Sequence, residues 1–138
     1  MRIEKEPHTI AVVNTFLERL NAHDADGIAA LFADQIDWYV PGNTALPWVG
    51  PRSRRAEVAN YFRTMWPYFE EGKSIVTPGN LVITGDDAVV FAAFTHTVKG
   101  NGRTFQTPVA LQLTISGSKI VRLNLYEDTW VVSRAFFD

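Results

Sequence analysis

The chain of 138 residues contains no cysteine, so neither disulfides nor thiolate chemistry contribute to its fold or function. No apolar run approaches the roughly 20 residues of a membrane-spanning helix. The polar start MRIEKEPHT lacks the apolar segment of a signal peptide, and the cytoplasm is the default expectation. Charge of one sign is scarce: the formal net charge is -2, and basic residues cluster no further than PRSRR. That leaves no positive field for nucleic acid. Three scattered histidines, with no HxH or HExxH spacing, deny zinc or iron its usual ligand set. GxGxxG and P-loop patterns are missing, so nothing calls for a nicotinamide or a nucleoside triphosphate. The expectation is a site without metal or cofactor.

What is abundant is aromatic area. Hydrophobic residues make up 46% of the chain and charged residues 20%, and four Trp and nine Phe exceed the needs of a minimal core. Some of those rings are expected to line a cavity. The length suits one domain over residues 1–138.

Val12, Val13, Phe16, Leu17 and Leu20 recur at helical spacing, which predicts a first helix from Thr9 with Pro7 at its edge. Asp24 suits the cap of a short second helix through Ile28, Leu31 and Phe32. QIDWYV alternates as a strand and gives way to the proline-rich loop PGNTALPWVGPRS. Ser53 is the expected cap of a third helix with Val58, Tyr61, Phe62, Met65, Trp66 and Phe69 on one face, which Pro67 should kink or end. Four strands follow, over 73–84, 88–99, 103–115 and 119–132, separated by the turns GDD, GNG and SGS. PGN at 78–80 reads as a bulge. Helices ahead of a long antiparallel sheet argue for α+β.

With that order in place, AVVNTFLERLNAHDADGIAALFADQIDWYVPG resembles the opening of the nuclear transport factor 2-like superfamily, in its ketosteroid-isomerase and SnoaL-like branches. Asn21, Asp24, Leu31, Phe32, Asp34 and Pro41 carry the likeness, and PWVGPRSRRAEVANYF and KIVRLNLYED extend it over nearly the whole chain. The resemblance implies a cone-shaped α+β domain, three N-terminal helices packed on a strongly curved, mixed and mostly antiparallel sheet, an apolar pocket and frequently a homodimer. It does not select a reaction, because the fold serves many. The positions that match the isomerase Tyr donor, Asp base and second acid are Phe16, Val40 and Ala110, none of which can donate or carry a proton. The acid of the related epoxide hydrolases falls on Leu125.

Alternation places Phe94 and His96 on one face of their strand, and Leu125 and Glu127 on one face of theirs. The resemblance directs both faces into the pocket. His96 is then a candidate for proton exchange near neutral pH or a core imidazole with a hydrogen-bond partner. Glu127 is an acid or base raised by desolvation, or a solvated rim residue. Asp128 is expected to secure local backbone or a neighbouring strand. In the central strand Val109, Leu111 and Leu113 look like core, yet the resemblance assigns Gln106, Ala110 and Gln112 to the pocket. Phe16, Trp38, Val40, Phe62, Trp66, Phe94, Ala110, Gln112 and Leu125 are the expected ligand wall, with Gln112 and Trp38 orienting the ligand. The expected ligand is a small hydrophobic or aromatic molecule. The expected chemistry is isomerase, cyclase or dehydratase proton transfer through His96 and Glu127, with a non-catalytic binding protein as the alternative.

Overall fold

The computed structural model describes residues 2–138, with side chains from residue 6 onward. Helix α1 (Arg2–Asn21) buries Val12, Val13 and Phe16, the stripe its spacing predicts, and runs through Pro7 rather than starting beside it. Asp24 caps α2 (Ala25–Ala29) by accepting from the Gly27 N–H at 2.9 Å. Phe32 belongs not to that helix but to β1 (Phe32–Val40), where it is fully buried. Within the expected loop lies β2 (Gly50–Arg54), an edge strand too short and too exposed to show alternation. The cap of α3 (Ala56–Met65) is also not Ser53. Instead Glu57 reaches back to accept from the Ser53 and Arg54 N–H groups at 3.1 Å each. Pro67 ends α3 in a 3₁₀ turn, Trp66–Tyr68.

Four later strands form as expected, the last of them ending five residues early. β3 (Ile75–Thr84), β4 (Asp87–Thr97), β5 (Thr104–Ser116) and β6 (Lys119–Glu127) follow the turns, and the register of β3 shifts between Pro78 and Leu81, at the PGN segment. The chain then turns into a fourth helix, α4 (Thr129–Phe137), where a continuing strand was expected. Asp128 accepts from the Val131 N–H at 3.1 Å and starts it. Val132 and Ala135, three residues apart, form its buried side.

One mixed sheet results, in the order β2-β1-β6-β5-β4-β3, antiparallel except for the β1–β6 pair. The expectation of a strongly curved, cone-forming sheet is corrected here. The sheet is open, with β2 and β3 as separate edges. Its longest pair, β4–β5, runs in unbroken register from Asp87–Thr114 to Thr97–Thr104. Sharp bending needs bulges or glycine kinks, and this pair has none. Closure over the inner face therefore falls to the helices. No described helix is long and apolar enough to cross a membrane.

Candidate functional site

Cross-strand partners share a face of the sheet, so the register defines the inner wall row by row. Leu123 stands opposite Leu113, Leu125 opposite Leu111, Glu127 opposite Val109, Phe94 opposite Thr107 and His96 opposite Phe105. Between this wall and the helices lies a cavity of ≈ 90 Å³. One water occupies about 10–15 Å³ on that measure, so the space suits a ligand of roughly six to nine water-sized groups, one or two rings.

Phe16, Trp38, Val40, Phe62, Trp66, Phe94 and Leu125 all line it, together with His96 and Glu127. Ala110 and Gln112 do not. Ala110 pairs with Phe91 and Tyr126, and Gln112 pairs with Val89 and Asn124, all on the outer face. Gln112 Oε1 accepts from Asn124 Nδ2 at 3.4 Å there. The apolar alternation of Val109, Leu111 and Leu113 was the better guide to β5, and the family match is one residue out of phase with it. Their inward neighbours, Val109 and Leu111, carry no proton either.

The sequence reading passed over Tyr61, Trp48, Ser74, Asn21 and His23, which also line the cavity. Tyr61 stood on the predicted face of α3 beside Phe62, a signal that was present. Trp48 had no periodic pattern around it, yet it is 3% exposed and packs against Phe69, Tyr68 and Phe136. His23 and Asn21 are exposed, which puts the cavity mouth beside the α1–α2 turn. The His23 ring stacks on Trp66 at 4.3 Å, nearly parallel.

His96 sits among rings. It stacks on Phe69 at 4.2 Å, with Phe105 at 5.7 Å and Phe94 at 6.2 Å. Its Nδ1 shares a 2.8 Å hydrogen bond with Ser74 Oγ. Burial, and secondarily the nearby His23, holds its pKa down to about 4. Its buried surroundings penalise the imidazolium and favour the neutral ring at pH 7. Glu127 moves the other way. Burial, then the adjacent Asp128, pushes its pKa up to about 7. Its carboxyl makes no hydrogen bond or ion pair to the described residues. Burial first, then the charge of Glu127, raises the pKa of Tyr61, with Arg52 over its ring at 5.0 Å acting in the opposite sense.

Glu127 and His96 do not converge. From Glu127 to His96 the register counts two strand spacings across and four residues along β5, from Val109 to Phe105. That is about 16 Å between Cα atoms, so they face different parts of one cavity. Among the described residues no three His, Asp or Glu side chains gather as a metal site.

Helices backing a mixed α+β sheet over an aromatic cavity give the chain the fold of NTF2-like and ketosteroid-isomerase-like proteins. Within that fold, the chain belongs to the SnoaL-like domain family, whose model matches residues 13–123. It is similar to a crystal structure of an NTF2-like protein from Burkholderia xenovorans LB400, at 24% identity over 94% of this chain and 95% of that one, with a TM-score of 0.77. An NTF2-like protein of unknown function from Burkholderia pseudomallei K96243 superposes with a TM-score of 0.86 at 19% identity, covering 95% and 98% of the two chains. TerC, co-crystallized with polyporic acid, matches at 17% identity over 93% and 97%, with a TM-score of 0.81. No curated protein matches the chain. At these identities the structures establish the fold.

Proposed function

We propose that the cavity is the site of a cofactor-independent enzyme of the isomerase, cyclase or dehydratase type, in which Glu127 moves a proton on a small, largely aromatic molecule. The observation that carries this reading is the Glu127 carboxyl, unpaired in an aromatic wall with its pKa pushed up to about 7. Such a group is half protonated at neutral pH and can give or take a proton with little bias. His96 acts as a positioning group. With Nδ1 tied to Ser74, its other ring nitrogen is left for a polar atom at the far end of the ligand. Aromatic walls exclude water and strengthen both contacts.

The test is solvent deuterium uptake into small aromatic carbonyl and hydroxyl compounds, followed by NMR. The wild type is expected to exchange protons with an inflection near pH 7, and Glu127→Gln to lose about 10²–10⁴ in rate. A compound that binds but exchanges equally with both proteins sinks the catalytic reading.

One observation favours the second reading, a non-catalytic binding protein. Phe16 and Val40, at the isomerase donor and base positions, stand apolar on the cavity wall. Binding without exchange is its signature. For the assembly, the outer sheet face supports a homodimer: Tyr39, Phe91 and Tyr126 are 48%, 44% and 57% exposed, and Phe91, Ala110 and Tyr126 lie in one row.

A further inference from the structure

Among the described residues, Trp38 Nε1 is the side-chain polar atom that is buried with no hydrogen-bond partner. The residue is 1% exposed and lines the cavity. Its ring is fixed by Phe32 at 5.7 Å, Tyr61 at 4.9 Å and Phe62 at 6.3 Å. Buried donors are nearly always satisfied, so an exception in a cavity wall calls for an acceptor supplied from elsewhere. An indole N–H donates and cannot accept, which fixes the polarity of whatever meets it. Among the described residues no Lys or Arg lines the cavity, and Glu127 does, so an anionic ligand would find a carboxyl and no countercharge from them.

We propose that Trp38 Nε1–H is a specificity-determining donor, and that the site takes an uncharged aromatic molecule bearing an acceptor oxygen in preference to the hydrocarbon of the same shape. This rests on the cavity being a ligand site. It adds the ligand's polarity and the residue that reads it. Discrimination comes from the donor: a hydrocarbon leaves the N–H unpaired, whereas an oxygen at that point satisfies it.

The probes are 1-indanone and indane, two-ring molecules that differ in one carbonyl. Titrations of the ¹⁵N-labelled wild type, followed by NMR, are expected to give a dissociation constant about two- to tenfold lower for 1-indanone, the size of one net hydrogen bond. The Trp38 indole resonance, assigned through its proximity to Tyr61 and Phe62, should move downfield with 1-indanone and not with indane. Trp38→Phe, which keeps an aromatic ring, should bind both alike. Because the wild-type comparison stands alone, a misfolded variant leaves the proposal fully tested. Equal wild-type affinities, or an indole signal that ignores 1-indanone while other cavity signals shift, overturn the role of Trp38 and leave the cavity as a ligand site. That outcome assigns the N–H to the face of the Tyr61 ring. If neither compound perturbs any cavity resonance, the ligand-site reading falls too.

Discussion

Replacing Glu127 or His96 should tilt the pH dependence of stability in opposite directions. Glu127 rises from an ordinary 4.5 to about 7 on folding, so between those values the folded chain holds more proton than the unfolded one. Its contribution to stability is then lost as pH climbs through that window. His96 falls from 6.5 to about 4, so the unfolded chain holds more proton there, and stability is lost as pH drops. Each displacement corresponds to at most about 3 kcal/mol, and partial exposure of both side chains brings the working figure to about 1–3 kcal/mol. Over pH 4.5–6.5 the two slopes oppose each other and nearly cancel in the wild type. Glu127→Gln leaves the His96 slope, so this variant should gain stability from pH 4.5 to 7 relative to the wild type. His96→Gln leaves the Glu127 slope and should lose stability over the same interval. Urea unfolding at half-unit pH steps, with each variant subtracted from the wild type, measures both. Difference curves that stay flat across pH 4.5–7 would refute the burial argument for the residue concerned.

Asp128→Ala removes the cap of α4 and should cost about 1 kcal/mol in urea unfolding, with the loss confined to helix fraying if the cap acts locally. Phe69→Ala takes away the ring stacked on His96 and opens the core beside Trp48, for an expected loss of about 3–5 kcal/mol. A rise of the His96 pKa, read by NMR, should accompany it as water gains access. Light scattering of the wild type at micromolar concentration should give the dimer mass, and Tyr126→Glu should give the monomer; a monomeric wild type rejects the sheet-face interface.

The hairpin half of the fold was legible because GDD, GNG and SGS demand tight turns and the strands between them alternate cleanly. The same alternation grouped Phe94 with His96 and Leu125 with Glu127, and the family resemblance turned those two faces inward. β5 was misassigned where the family match was allowed to override its own pattern of Val109, Leu111 and Leu113. Helix α4 was missed because TWVV has strand propensity, and only the Asp128 cap together with the spacing of Val132 and Ala135 reverses it. The protonation of His96 could not be read from sequence at all. It depends on Phe69, Phe105 and His23, which come from distant segments and meet only in the folded chain.

The parallel pairing of β1 with β6, in which Phe32 sits beside Ile120, also constrains how the molecule comes into being on the ribosome. β1 and β2 can form their hairpin early, but β1 has no second neighbour until the last strand has emerged. During synthesis the N-terminal segment must therefore wait, its buried residues Phe32, Ile36 and Trp38 without their final strand partner. Closure of so long a loop is slow, and the waiting apolar strand is the point at which nascent chains are exposed to aggregation or chaperone capture.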